Sequence, residues 1–295
     1  MRGAVSSVEV ERPRDLADAL RRMAGRVRED ERLWPLAGGT DLMVLLNFGL
    51  LPGRRFLDLW GLAPLRRIRL AKGALVLGAL STYTDVVRSP LVGRHLAILQ
   101  QAAREVGGIQ IQNRGTLGGN LVNASPAGDT LPVFLAAGAE LVAASAARGE
   151  RTIPIERFYL AYRKTALEPD ELLVAIRVPH RPRGTRRYFR KVGTRAAQAI
   201  SKVVIAATAR PAGRRRLADV RIAVGSVAPT VVSLPRTEAH LSRETLTPAA
   251  IAEAGRLAAG EIRPIDDLRS TAAYRRAVTA NLVRQFVESS FGDRL

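Results

Sequence analysis

Gln112-Asn113-Arg114-Gly115-Thr116-Leu117-Gly118-Gly119-Asn120-Leu121, followed by Asn123-Ala124-Ser125-Pro126 and by Asp129, is the stretch on which the reading of this chain turns. From Gly107 to Pro126 the sequence is dense in Gly, Asn, Gln and Ser with isolated aliphatic residues, so it reads as a long ordered loop. A second double-glycine segment lies upstream, Ala37-Gly38-Gly39-Thr40-Asp41. It falls between the apolar run Leu33 to Leu36 and a buried helix Leu42 to Phe48 that Gly49 closes: strand, glycine loop, helix. Paired glycines at such a junction let main-chain N–H groups approach an anion closely. Each loop alone reads equally as a tight turn, since neither fits the GxGxxG or GxxxxGK[ST] pattern. Together they suggest a pyrophosphate clamp, two loops from separate lobes reaching opposite sides of one diphosphate.

Working outward, Val5 to Val10 alternates like a strand and Asp15 caps a helix carrying Leu16, Ala19, Leu20 and Met23 at helical spacing. Phe56 to Leu59, Ile68 to Leu70 and Gly73 to Ser81 read as strands, and Leu96 to Val106 as a helix. Asp129 is placed to N-cap a helix running to Ala137 before Gly138, and to offer a carboxylate to a ligand. Val142 to Ile155 suggests a hairpin around Arg148-Gly149, with Glu168, Asp170 and Glu171 a solvated turn before a strand to Val178. The run His180 to Arg187, rich in Arg, Pro and Gly, marks a domain boundary. Beyond it, Val203 to Ala209 and Val220 to Val224 read as strands and helices dominate from Thr237, one starting at Thr247-Pro248 and the last spanning Thr271 to Val287. The fold class is therefore α+β, with a small antiparallel sheet and helices on one face in the C-terminal part.

At 295 residues the chain is long enough for two domains. It holds no cysteine and three scattered histidines, which argues against disulfides, an iron–sulfur cluster held by this chain, a cysteine nucleophile and an intrinsic metal site. The net charge of +19 would ordinarily suggest nucleic acid. Only Lys72, Lys164, Lys191 and Lys202 are lysines, however, and the arginines are dispersed without interleaved aromatics, so a solvated basic surface is the favoured reading. No stretch approaches the roughly 20 apolar residues that span a bilayer, and the start lacks a signal peptide's apolar centre, which leads us to expect a cytoplasmic protein. No serine elbow or paired catalytic carboxylates stand out, so the chemistry is expected to come from a bound cofactor. On spacing alone Lys191 is a surface lysine on the basic strand Tyr188-Phe189-Arg190-Lys191.

Pro35 to Leu42, Gln112 to Leu121, Ala124-Ser125-Pro126 and Asp129 resemble the FAD-binding medium subunit of molybdenum hydroxylases, the xanthine dehydrogenase and carbon monoxide dehydrogenase family. The similarity continues through Phe158-Tyr159, Thr165, Glu171-Leu172-Leu173, Arg190-Lys191, Val227-Ala228-Pro229 with Glu238, and Pro264-Ile265-Asp266-Asp267 with Arg269 and Tyr274-Arg275-Arg276. The resemblance implies a two-lobed FAD-binding domain of the p-cresol methylhydroxylase type over 1–180, with lobes of about 1–60 and 61–180, and an α+β C-terminal domain over 185–295. It places the cofactor's diphosphate and surroundings against Leu36, Ala37, Gly38, Gly39, Thr40, Asp41 and Leu42 and against Thr116, Leu117, Gly118, Gly119 and Asn120. Asn123, Ser125 and Asp129 would meet ribityl and ribose hydroxyls, Leu172 or Leu173 would pack near the isoalloxazine ring, and Lys191 would lie near the ring or its approach.

The resemblance also implies partners: an iron–sulfur small subunit and a molybdopterin large subunit, with a dimer of heterotrimers as one assembly. Substrate hydroxylation would occur on the large subunit, and electrons would pass through the clusters and this FAD to NAD+, oxygen or a quinone. Two departures stand out: Ser233 occupies a position where the family often has arginine, and Asp41 follows the dehydrogenase-like form of the first loop, which argues against carbon monoxide as substrate. The run Arg181 to Arg190 reads either as a dock for an acidic iron–sulfur subunit or as a solvated face. A stand-alone FAD-dependent oxidoreductase, or a basic nucleic-acid-binding protein, would be the alternatives. The first needs its own catalytic base, and the sequence offers no convincing one.

Overall fold

The computed structural model describes residues 8–25, 32–51, 53–195 and 198–291. Its first sheet is parallel, in the order β1 (Glu9–Glu11), β3 (Arg55–Asp58), β2 (Trp34–Leu36), connected through α1 (Leu16–Ala24) and α2 (Leu42–Phe48). The start of the expected strand, Val5 to Ser7, lies outside the described residues. Asp15 caps α1 as its position suggests, its Oδ1 accepting from the Asp18 N–H at 2.7 Å.

The second sheet is antiparallel and holds the middle of the molecule. Its strands are β4 (Ile68–Ala71), β5 (Ala74–Gly78), β6 (Glu140–Ser145), β7 (Gly149–Pro154) and β10 (Leu172–Pro179), in the order β4-β5-β10-β6-β7. Between β7 and β10 run the short strands β8 (Tyr159–Ala161) and β9 (Lys164–Thr165). Strand alternation sends side chains to both faces. Leu75, Leu77, Leu141, Ala143 and Leu173 join one core, while Val142, Ala144, Leu172 and Val174 join another with Ala19, Leu20 and Leu57 of the first lobe.

On the first of these faces lie α3 (Tyr83–Arg88), α4 (Pro90–His95), α5 (Ala97–Glu105), α6 (Ile109–Arg114), α7 (Leu117–Asn123) and α8 (Leu131–Ala137). The segment expected as a loop from Gly107 to Pro126 therefore contains two short helices. Local composition disfavours them, but Leu117 and Leu121 are buried in the core, and Thr116 caps α7 by accepting from the Gly119 N–H at 3.1 Å. Tertiary burial overrides weak propensity here.

Glu168, Asp170 and Glu171 do not form a solvated turn: Asp170 and Glu171 are buried. Arg151 donates to both Glu171 oxygens at 2.6 and 2.7 Å, and Arg148 donates to Asp170 at 2.6 Å. Burial alone would raise the Glu171 pKa, but the Arg151 hydrogen bonds, the Glu168 N–H and the nearby guanidinium charges hold it below the usual value. These pairs pin the start of β10 to the β6–β7 hairpin. Arg151→Ala is expected to destabilise by about 2 kcal/mol, less than a fully enclosed pair because Arg151 reaches solvent. Urea unfolding checks this, and an unchanged midpoint would contradict it.

After Pro179 the chain enters an antiparallel sheet in the order β11 (Arg186–Val192), β12 (Val203–Pro211), β13 (Leu217–Gly225), β14 (Val232–Ser233). Its helices α9 (Pro235–Arg243), α10 (Pro248–Glu261) and α11 (Ala272–Phe291) cover one face, where Val203, Ile205 and Ala207 meet Leu282, Val283 and Phe286. Val204 and Ala206 point the other way, into the core that contains Phe134. That side is filled by α8, all seven residues of which are buried. Among the described residues no helix is long and apolar enough to cross a membrane.

Candidate functional site

The two glycine loops meet. A Cβ placed on Gly38 would collide with the Arg114 carbonyl oxygen, so the first loop lies directly on the end of α6. Gly39 adopts φ +76°, a left-handed turn open to glycine, which carries the chain from β2 into α2. Among the described residues, no protein acceptor takes up the main-chain N–H groups of Gly38, Gly39, Thr40 or Asp41. Four consecutive donors are thus presented from a half-open loop, a ready arrangement for anionic oxygens.

The second loop has a different character. Leu117 N–H donates to Ser81 at 2.9 Å, Gly118 N–H to Ala79 at 2.8 Å, Gly119 N–H to the Thr116 hydroxyl and Asn120 N–H to the Thr116 carbonyl at 3.0 Å. A Cβ at Gly118 would stand 2.7 Å from the Ala79 carbonyl oxygen. Its donors are engaged within the protein, so this loop forms the wall against which the first is set. The Asn120 side chain is fixed by the Thr130 hydroxyl at 2.6 Å, and Ser125 Oγ accepts from the Ala127 N–H at 3.3 Å.

The Asn123 amide of α7 lies close enough to Asp41 to favour its charged form, which sets the first loop beside α7. Asp41 keeps an accessible carboxylate in a crowded recess; desolvation raises its pKa, and the charge of Arg163 and the neighbouring Asn123 amide oppose the rise. Arg163, at the turn between β8 and β9, thereby joins the neighbourhood although nothing in its sequence context marked it. Tyr83 was also missed. Its buried ring lies under Gly115, and its hydroxyl is pushed upward by burial first and then by the carboxylates of Asp129 and Asp41. Only its place in the Thr82–Asp85 capping box was legible.

Lys191 is not a surface residue. Its side chain is 2% exposed, and its Nζ donates to Asp129 Oδ2 at 2.7 Å and to the Glu105 carbonyl at 2.8 Å. The alternation of β11 turns Lys191 inward toward the C-terminus of α5, which a lone basic strand could not reveal. Asp129 accordingly does not cap α8; Thr130 holds the cap position without a side-chain bond. Asp129 Oδ1 is buried with no hydrogen-bond partner among the described residues, an orphaned acceptor beside the Lys191 ion pair. Leu172 and Leu173 are both buried but on opposite faces of β10, where the register shifts between Leu173 and Ala175.

Desolvation pushes the Asp129 carboxyl up to about 6 from 3.8, against the opposing charge and hydrogen bond of Lys191. A raised folded-state value means the folded chain holds a proton that the unfolded chain releases. The contribution is full below about pH 4 and is lost as pH rises through about 6, a change of about 2–3 kcal/mol. Asp129→Asn should remove this part of the stability profile. Denaturant midpoints for both proteins from pH 4 to 7 test it; parallel profiles would show that Asp129 does not titrate in this window.

Apposed lobes around a donor-rich glycine loop, closed by a third layer that contributes an inward lysine, define a protein built to hold an extended cofactor carrying a diphosphate. Residues 6–181 match the FAD binding domain in molybdopterin dehydrogenase, and residues 187–290 the CO dehydrogenase flavoprotein C-terminal domain. The carbon monoxide dehydrogenase medium chain of Hydrogenophaga pseudoflava is 29% identical over 96% of this chain and 96% of that protein. A xanthine dehydrogenase FAD-binding subunit of Escherichia coli is 29% identical over 93% of each. The solved carbon monoxide dehydrogenase of Hydrogenophaga pseudoflava superposes with a TM-score of 0.88, covering 94% of this chain and 95% of its own, at 29% identity. The chain belongs to the family of FAD-binding medium subunits of molybdenum-hydroxylase-type complexes.

Proposed function

We propose that this chain is the electron-transfer subunit of a molybdenum hydroxylase, taking electrons from an iron–sulfur small subunit and delivering them to NAD+, oxygen or a quinone. In this reading substrate is hydroxylated on a separate molybdopterin large subunit. The four unclaimed N–H groups of Gly38 to Asp41 carry the proposal, because they supply what a diphosphate needs where the fold presents it. FAD, when bound, supplies the two-electron chemistry.

The residues have separate tasks. Gly38 to Asp41 donate to the diphosphate, with Leu36 and Leu42 at the loop's two ends. Thr116 to Asn120 form the backing wall. Asn123, Ser125 and the orphaned Asp129 Oδ1 offer acceptors to the hydroxyl-bearing chain. Leu172 or Leu173 borders the ring, and Lys191 places a fixed positive charge near it, which favours electron density on the cofactor. The test is to co-express the chain with its iron–sulfur and molybdopterin subunits, isolate the assembly, and follow flavin absorbance on anaerobic substrate addition. Bleaching that requires the iron–sulfur subunit is expected. Bleaching by substrate with the chain alone would instead make it a stand-alone oxidoreductase, and a colourless chain that rejects FAD would defeat both.

A further inference from the structure

Away from the flavin site, α4 and the segment leading into β11 enclose a recess of ≈ 410 Å³ lined by Arg94, His95, His180, Arg181, Arg183 and Arg187. The two imidazoles are stacked face to face, centroids 4.7 Å apart and planes within 9°. Among the described residues none of the four guanidinium groups makes an ion pair. The carboxylates in range of Arg181 are already occupied, Glu156 by Arg221 and Asp219 by Arg210. Arg181 donates one bond, to the Ala136 carbonyl at 3.0 Å, and its Nε is buried without a partner. Desolvation disfavours the charged form of Arg181 and likewise of Arg187. Like charges gathered in a concavity, with donors left unmatched, form a site complementary to a compact multivalent anion.

We propose that this recess binds a polyphosphate group, of which inorganic pyrophosphate is the smallest form and a nucleoside diphosphate an extended one. Arginine forks pair bidentately with phosphate oxygens, and the number of cations exceeds what a single carboxylate can neutralise. The volume lies within the range of small-ligand sites. The groups facing His95 are His180, Arg94 and Arg187, and with burial they lower its pKa. A bound anion reverses that balance and favours the protonated ring, so binding tightens as pH falls. The site also bridges domains: His95 ends α4 just before α5, whereas Arg187 is the second residue of β11.

Calorimetric titration of the full-length chain saturated with FAD, so that the diphosphate loop of Gly38 to Asp41 is filled, with pyrophosphate at about pH 6 and pH 8 tests the proposal. Saturable binding is expected, about tenfold tighter at the lower pH and weakened at least about tenfold in Arg94→Gln/Arg183→Gln. Both residues are exposed and make no hydrogen bond within the described protein, so folding and FAD content should be unchanged in the double variant. His95→Phe keeps the stack and should flatten the pH dependence while leaving affinity at the higher pH. ADP binding more tightly than pyrophosphate identifies a nucleotide as the source; equal affinity identifies the free anion. Absence of saturable heat, equal binding of sulfate, or binding indifferent to the double variant would overturn the assignment. So would an oligonucleotide or acidic peptide that binds there without being displaced by pyrophosphate.

Discussion

Gly38→Ala is expected to lower FAD affinity at least about tenfold and to destabilise the chain by about 1–3 kcal/mol. The added methyl meets backbone, not a flexible side chain: the Arg114 carbonyl oxygen, its carbon at 2.6 Å and the Gly115 nitrogen at 3.1 Å. Neither segment can give way without disturbing the other. Moving the first loop displaces the donors of Gly38 to Asp41, and moving the second strains the bonds that hold Leu117 and Gly118 to Ser81 and Ala79. Gly260→Ala serves as a control. Gly260 lies within α10 with open space around its Cβ direction, so alanine there should stabilise by about 0.5–1 kcal/mol and leave FAD binding intact. Thermal unfolding and flavin content per chain measure both. A Gly38→Ala protein with full flavin content and an unshifted transition would mean the loops are not packed as described.

Lys191→Met is expected to be the most destabilising single change at the site, by about 3–5 kcal/mol at neutral pH. Methionine approximates the stem of lysine but removes the charge from a nearly enclosed position, leaving Asp129 buried with neither oxygen paired by Nζ. The carboxyl would then retain its proton to a higher pH than its present value of about 6. The penalty should therefore grow as the solution is made more alkaline and shrink in acid. Adding Asp129→Asn should recover part of the loss, because the uncompensated charge is then gone. Urea unfolding of the two single variants and the double variant gives the coupling directly. Strict additivity would show that the pair does not interact as the geometry states.

Local chemistry made several elements legible. Asp15 announced α1, Gly149 at φ +69° the β6–β7 hairpin, and Thr247, whose Oγ1 accepts from the Ala250 N–H at 3.2 Å, the start of α10. The two glycine loops were recognisable because close backbone approach leaves few residue choices. What escaped reading depends on distant partners. The helices within 109–123 exist because Leu117 and Leu121 find a core, and Asp170 and Glu171 are buried because Arg148 and Arg151 reach them from a neighbouring hairpin. Lys191 looked like a surface residue because its carboxylate lies in another domain's loop, and Tyr83 shows in the sequence only as part of a capping box. The asymmetry of the glycine loops, one with free donors and one with donors consumed, was likewise invisible in sequences that look alike.

Strand order has a consequence for the birth of the molecule on the ribosome. β10 lies between β5 and β6, although it follows both in the chain. Until residue 179 has left the exit tunnel, β5 and β6 each present an open edge to solvent, and the glycine loops have no finished platform beneath them. Folding of the nascent N-terminal half is therefore postponed, a vectorial delay during which chaperone capture or edge-to-edge aggregation competes with cofactor loading.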